Sequence, residues 1–309
     1  MTTRVALIGS GLVGAVHAAN LTRKADVELT AVYSPNPEKA SAFASAHGVK
    51  HISKTLADAV AKADIAIICS PSEQHFQQAL ECLEAGVHTL VELPPCGKAS
   101  EAEQLADSAR KRGLRLGCAH TSRYLLPYVS ITSHIQNGVI GEIREVNYIR
   151  HHRLRKRSWT DNALLHHAAH AIDLLLYWCG GLEPKGCIAL PDASTADTVA
   201  LLGKLPSGGP ATITVSYASH LPDARMSVVG KNHTVETDGF TYLRSDLAGL
   251  QFRGIEREVY EQAIADQDDE FLRACNGDFC FVAWDETLEL IRTVNQFEAL
   301  CDEGYAGQQ

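Results

Sequence analysis

Arg4-Val5-Ala6-Leu7-Ile8 runs directly into Gly9-Ser10-Gly11-Leu12-Val13-Gly14, and the reading of this junction decides the fold. The apolar run has the composition of a buried strand. The glycines after it permit a tight turn, close backbone approach to a pyrophosphate and close packing of the next helix. That helix begins near Leu12 and Val13 and offers its positive end to phosphates. A G-x-G-x-x-G alone is a weak signal, and a second strand at Val27–Tyr33, at βαβ distance, strengthens it. About 20 residues beyond the glycines, where a carboxylate would hold the ribose hydroxyls of NAD, the chain has Ser34. A carboxylate there would repel a 2′-phosphate and a serine does not, so NADP is the expected coenzyme and NAD the second candidate. Pro35 and Asn36 follow in place of an arginine clamp, and Lys39 is the nearest cation.

Outward from the glycines the alternation continues. Helices are predicted around Glu38–His47 and Leu56–Ala61, and a strand Asp64–Cys69 ends in Ser70-Pro71-Ser72-Glu73-Gln74-His75. A helix to Ala85 is stopped by Gly86, strand Val87–Val91 ends in Glu92-Leu93-Pro94-Pro95, and helix Glu101–Arg112 and strand Leu114–Cys118 lead to His120-Thr121. Repeated βα units imply an α/β Rossmann domain, a parallel sheet covered on both faces, in residues 1–121. Ligands gather at the carboxyl ends of such strands, where Gly9, Ser70, Glu92 and His120 fall.

Beyond this point the pattern changes. A helix near Leu126–Asn137 is closed by Gly138, strand Ile143–Arg150 follows, and the runs Ala196–Lys204 and Ala211–Ala218 flank Pro206-Ser207-Gly208-Gly209-Pro210 as a hairpin. Helices near Ile255–Ala274 and Trp284–Asp302 complete an α+β domain with a largely antiparallel sheet, residues 122–309.

Composition narrows the function classes. Of 309 residues, 45% are hydrophobic and 21% charged, the balance of a water-soluble globular chain. A net charge of -9 argues against nucleic acid and against an anionic membrane surface as partners. Nine cysteines without a C-x-x-C pair suit reduced thiols in a cytoplasm better than a disulfide framework. No apolar run is long enough to span a bilayer, and no signal peptide precedes the first strand.

Residues 157–173 carry the proton chemistry. Read as a helix capped at Thr160 or Asp161, they place His166, His170 and Asp173 at i, i+4 and i+7 on one polar face among Leu164, Leu165, Ile172 and Leu174. Histidine accepts and releases protons near neutrality, which suits an active-site helix. The same spacing of His166 and His170 would suit zinc, but His167 stands where a zinc hydrolase has glutamate, so no metal is expected. The basic run His151-His152-Arg153-Leu154-Arg155-Lys156-Arg157 is either a solvated surface or a holder of substrate carboxylates, for which arginine's planar fork is shaped.

The N-terminal G-x-G-x-x-G, Cys69-Ser70-Pro71 with His75, Glu92-x-Pro94, and Ala163-Leu-Leu-x-x-x-x-His170-x-x-Asp173 together resemble the Gfo/Idh/MocA family of oxidoreductases over essentially the whole chain. The resemblance implies a coenzyme held by Gly9, Gly11, Leu12, Val13, Gly14, Ser34, Ser70, Pro71, His75, Glu92 and Pro94. It also implies a large open sheet in the second domain, often the seat of homodimers or homotetramers, and a nicotinamide lying against the helix of His170. Two positions depart from the family: Leu93 replaces its lysine, and His166 stands where aspartate is usual.

Val91-Glu92-Leu93-Pro94, His120-Thr121-x-Arg123-Tyr124, Arg157-Ser158-Trp159-Thr160-Asp161 and His166-His167-Ala168-Ala169-His170 look like one branch of that family, the NADP-dependent 4-carboxy-2-hydroxymuconate-6-semialdehyde dehydrogenases of aromatic-acid degradation. In that branch Ser122 tends to be arginine. The branch implies oxidation of a carboxylated cyclic hemiacetal, with His170 as base, His166 and Asp173 as its helpers, and Arg123, Arg157, Trp159, His120 and His167 around the substrate. A dehydrogenase of a cis-dihydrodiol or sugar derivative is the alternative enzyme. A non-catalytic NADP-binding sensor or assembly subunit, which would have no need of the histidines, is the alternative of another class.

Overall fold

The computed structural model describes residues 2–153, 162–277 and 281–306, with side chains through 301. It divides into two compact units.

The first unit holds β1 (Thr3–Ile8), α1 (Leu12–Leu21), β2 (Val27–Tyr33), α2 (Pro37–His47), β3 (His51–Ser53), α3 (Leu56–Val60), β4 (Ile65–Ile68), α4 (His75–Glu84), β5 (His88–Glu92), α5 (Ala99–Arg112) and β6 (Leu116–Ala119). The six strands are all parallel, in the order β3-β2-β1-β4-β5-β6, so the topological switch lies between β1 and β4. Strand alternation sends Ala6, Ile8, Ala66, Ile68 and Val91 into one apolar cluster and Val5, Leu7, Ile65, Ile67 and Leu90 into the other. Both faces are therefore buried, which is why these strands read as continuous apolar runs rather than alternating ones. Local chemistry fixes the helix ends. Asn36 Oδ1 accepts from Lys39 N at 2.9 Å ahead of Pro37, and Thr55 Oγ1 accepts from Asp58 N at 3.1 Å.

Residues 264–288 also belong to this unit, whereas the sequence reading assigned everything after 121 to the second. The reason is packing: Phe271 and Phe281 meet edge to face, 5.2 Å between centroids, over Gly117 of β6. A Cβ at Gly117 would lie 2.5 Å from Phe281 and 2.9 Å from Phe271, so only glycine leaves room for the pair.

The second unit, residues 122–263 and 289–309, carries α6 (Leu126–Gln136), β7 (Ile143–Arg153), α7 (Ala169–Cys179), β8 (Glu183–Leu190), β9 (Thr198–Lys204), β10 (Pro210–Ser216), β11 (Ala218–Gly230), β12 (Thr234–Thr237), β13 (Tyr242–Ser245) and β14 (Phe252–Arg253). The unit boundaries fall inside the two last helices, α8 (Glu256–Cys275) and α9 (Trp284–Ala306). Its eight strands run β14-β13-β12-β11-β7-β10-β9-β8 and are antiparallel except for the β7–β10 pair. The expected hairpin is β9–β10, with Lys204 opposite Pro210. Cys187 on β8 and Cys301 on α9 form a disulfide, which corrects the expectation of thiols throughout, while Cys69, Cys82, Cys96, Cys118, Cys179 and Cys275 are thiols. Among the described residues no helix is long and apolar enough to cross a membrane.

Candidate active site

At the carboxyl ends of the first sheet, the glycine turn makes a cradle that side chains would fill. Gly9 has φ +123°, and a Cβ there would lie 2.6 Å from the carbonyl carbon of Cys69 and 2.8 Å from Ser70 N. A Cβ at Gly14 would meet Cys69 Sγ and Gly9 O, each at 2.9 Å, whereas one at Gly11 would stand in open space. β1, β4 and α1 thus come together as closely as a backbone allows, with Gly11, Leu12 and Val13 opening α1 and no side chain capping it. This geometry fits a pyrophosphate against the helix start. At the end of β2, Ser34 accepts from Asn36 N at 3.4 Å, and no carboxylate occupies the ribose-reading position.

The loops after β4 and β5 are tied together by His75. Its ring is 2% exposed, with Nδ1 2.8 Å from Pro94 O and Nε2 2.8 Å from Ser70 O. The expectation that His75 binds coenzyme is therefore corrected: the buried ring is enclosed between two backbone carbonyls, to one of which its single N–H donates, and the residue shapes the loops that carry Ser70, Pro71 and Pro94. Ser70 Oγ donates to Gln78 Oε1 at 2.6 Å. Glu92 ends β5 and accepts at Oε1 from His17 Nε2 at 3.0 Å. Leu93 beside it is buried, and its peptide bond to Pro94 is cis. His120 does not reach a ligand as expected, because its fully buried ring is hydrogen-bonded through Nε2 to Thr287 Oγ1 at 2.8 Å.

In the second unit the histidine helix starts differently from its sequence reading. Asn162 supplies the cap, its Oδ1 accepting from Leu164 N at 2.8 Å and Leu165 N at 3.0 Å, while Thr160 and Asp161 lie outside the described residues. Leu164–Ala168 is then a π-helical turn, with Ala168 N donating to Ala163 O five residues back, before α7 begins at Ala169. The extra residue in the turn breaks the regular α-helical repeat between His166 and His170 on which the expected i, i+4, i+7 spacing rests. Each finds its own partner instead.

His166 Nδ1 folds back to Asn162 O at 2.9 Å. His167 Nδ1 meets the hydroxyl of Tyr217 at 2.7 Å, and the two rings cluster with His152 at centroid distances of 5.0 to 5.4 Å. Burial first, then the charges of His170 and Arg150, holds the His167 pKa well below the usual histidine value. His170 Nδ1 lies 3.2 Å from Ser122 Oγ. Asp173 accepts from Arg123 twice, Oδ2 from Nε at 3.0 Å and Oδ1 from Nη2 at 2.7 Å, and the guanidinium stacks over Tyr177, 4.4 Å from its centroid. Both side chains are almost wholly buried. This corrects one expectation: the Nε–Nη2 edge of Arg123 is filled by Asp173 rather than offered to a substrate carboxylate.

Arg157 and Trp159 lie outside the described residues. Tyr217, Arg150, His17 and Asp268 sit in no motif and carry no sequence signal, and Ser122 stands out in the sequence only as a departure. Arg150 stacks over Phe240 at 5.4 Å. Among the described residues no group of three or more histidine, cysteine or carboxylate side chains is placed to hold a metal ion.

Comparison with known proteins matches this arrangement. Residues 3–120 fit the model of an oxidoreductase family with an NAD-binding Rossmann fold, and residues 128–236 fit the GFO/IDH/MocA C-terminal domain. The 4-carboxy-2-hydroxymuconate-6-semialdehyde dehydrogenase of Sphingobium sp. is 30% identical over 232 residues, 71% of this chain and 73% of that protein. The D-glucoside 3-dehydrogenase of Escherichia coli is 35% identical over 144 residues, 45% of this chain and 41% of the relative. In fold, the chain resembles GenD2 from gentamicin A biosynthesis in complex with NAD (TM-score 0.86, 20% identity, 98% of this chain and 95% of that one). It likewise resembles the WlbA dehydrogenase from Bordetella pertussis in complex with NADH and UDP-GlcNAcA (TM-score 0.85, 20% identity, 98% and 96%).

Proposed function

The chain belongs to the Gfo/Idh/MocA family of NAD-binding oxidoreductases, and from that membership we propose that it oxidises a carboxylated cyclic hemiacetal like that of 4-carboxy-2-hydroxymuconate 6-semialdehyde, with NADP as preferred acceptor. The observation that carries the reading is the buried, apolar Leu93 after Glu92, where most catalytic members of the family have a lysine amine and some that transfer hydride have lost it. With no ammonium to stabilise an alkoxide, the substrate hydroxyl must be the more acidic kind. A hemiacetal meets that need, because its second oxygen withdraws electrons. The relative that matches over 73% of its length is by name a dehydrogenase of 4-carboxy-2-hydroxymuconate-6-semialdehyde, whose cyclic form would be such a hemiacetal.

When bound, the coenzyme accepts the hydride; the rest falls to residues of this chain. His170 takes the hydroxyl proton, with Ser122 Oγ holding Nδ1 and thereby the ring's orientation. His167, kept neutral by burial, and Tyr217 form a second polar pair beside it. With Arg123 spent on Asp173, Arg150 is the candidate for the substrate carboxylate, being near enough for its charge to depress His167. Ser34 in place of a carboxylate favours NADP. We extend the reading to a homodimer or homotetramer, supported by exposed Ile188, Leu190 and Leu202 on adjoining strands of the second sheet, and to a cytoplasmic setting.

A second reading, oxidation of a sugar or cis-dihydrodiol, is favoured by the higher identity to the glucoside dehydrogenase over the shorter stretch. A turnover panel with NADP and NAD against carboxylated hemiacetals, cis-diols and sugars decides. Reduction of coenzyme by the hemiacetals with NADP ahead of NAD is the expected result. Turnover of sugars alone selects the second reading, and coenzyme binding without turnover of any compound selects the sensor.

A further inference from the structure

Two carboxylates share one imidazole in the first unit. His17, on α1 and fully buried, donates from Nδ1 to Asp268 Oδ1 at 2.8 Å and from Nε2 to Glu92 Oε1 at 3.0 Å. Asn20 Nδ2 donates to the other oxygen of Asp268 at 3.0 Å. Ionised carboxylates only accept, so both ring nitrogens carry protons and the ring is an imidazolium. Burial opposes that charge, but Asp268 and then Glu92 outweigh it and push the His17 pKa up to about 10.

One cation against two anions leaves a negative charge over. The side chain of Asp268 is 0% exposed and that of Glu92 is 16% exposed, so the surplus is presented at Glu92. Nothing beside it in the chain neutralises it, since Leu93, Pro94 and Pro95 follow. A doubly wound sheet holds a dinucleotide across its switch point, here between β1 and β4. Ser34 at the end of β2 marks the adenosine side, so the nicotinamide half falls on the β4–β5 side, where Glu92 ends its strand.

We propose that His17 and Asp268 hold Glu92 as an ionised carboxylate facing the nicotinamide half, and that this charge makes the protein discriminate between the two redox states of the coenzyme. The oxidised ring is a pyridinium and is attracted; the reduced ring is neutral and is not. Thermodynamic linkage then shifts the protein-bound couple toward the oxidised form. His17 is thus a positioning residue. The inference rests on the reading that the first unit binds a nicotinamide dinucleotide.

The test titrates NADP and NADPH separately into the full chain without substrate, by calorimetry and by nicotinamide fluorescence. Glu92→Gln keeps an acceptor for His17 and removes the charge. It should weaken NADP about tenfold while leaving NADPH within about twofold, the scale of a partly screened unit charge a few ångströms away. Glu92→Asp keeps the charge and should hold the ratio of the two affinities within about threefold of the unaltered protein. Equal weakening of both forms by Glu92→Gln, or loss of the ratio in both variants, overturns the proposal. In the unaltered protein, NMR of the His17 ring at about pH 8 should show an imidazolium, and a neutral ring there also overturns it. If the unaltered protein binds neither form, the coenzyme reading itself fails, an outcome separate from the others.

Discussion

Arg123 and Asp173 form a bidentate ion pair, Nε to Oδ2 at 3.0 Å and Nη2 to Oδ1 at 2.7 Å, with side chains only 7% and 2% exposed. The pair links the turn that opens the second unit to the middle of α7, a structural tie where the sequence suggested a ligand site.

Arg123→Ala strands a buried carboxylate, so we expect a loss of about 3–5 kcal/mol in stability, read by urea denaturation. The Michaelis constants for mono- and dicarboxylate substrates should then move together. A selective rise for the dicarboxylate would return Arg123 to the substrate.

His170→Ala should lower kcat on the order of 10²–10⁴-fold, the range of a lost general base, and leave the coenzyme dissociation constant unchanged. Ser122→Ala removes only the orienting hydroxyl, and a loss of about tenfold in kcat is expected. If Ser122→Ala matches His170→Ala in full, the hydroxyl does more than orient.

Gly9→Ala and Gly11→Ala should separate packing from ligand approach. Alanine at Gly9 meets the Cys69 carbonyl and a left-handed φ, so Tm and coenzyme affinity fall together, with a strain of about 1–3 kcal/mol. Alanine at Gly11 enters open space and should leave Tm unchanged while still weakening coenzyme.

Stability should fall with rising pH because of His17. Its pKa in the folded protein, about 10, lies above its value in the unfolded chain, so the folded state binds its proton more tightly. The stabilisation is complete below about pH 6.5 and is lost progressively as pH rises through about 10. The groups facing the ring are Asp268 and Glu92, with the Cys69 thiol, whose pKa burial pushes up, also near those two carboxylates. Urea midpoints across that range measure the slope, and Glu92→Gln should make it shallower.

The first sheet was legible because each apolar strand is followed by turn chemistry that belongs to it: Gly9 after β1, Ser70-Pro71 after β4, Leu93-Pro94 after β5. β11 was not. Its N-terminal half, with Leu221-Pro222-Asp223, lacks alternation, and the pairing with β7 skips from Ala218 to Asp223 across that proline. In the site, the identities of the histidines were readable but their directions were not. A single π-turn set by Ala163 and Ala168 redirects them, and their partners Tyr217 and Ser122 lie about fifty residues away in the chain. Arg123 and Asp173 are likewise fifty apart, and motif matching sees each alone.

The return of residues 264–288 to the first sheet means that the nucleotide-binding half is not a portable cassette. A gene cut after codon 121 would keep every glycine of the fingerprint and every strand of the sheet. It would also bare Gly117 and deprive His17 of the counter-ion supplied by Asp268. Recombination that swaps this half between related enzymes therefore has to carry both pieces, and a chimera that ignores the second inherits the signature without the means to keep it folded.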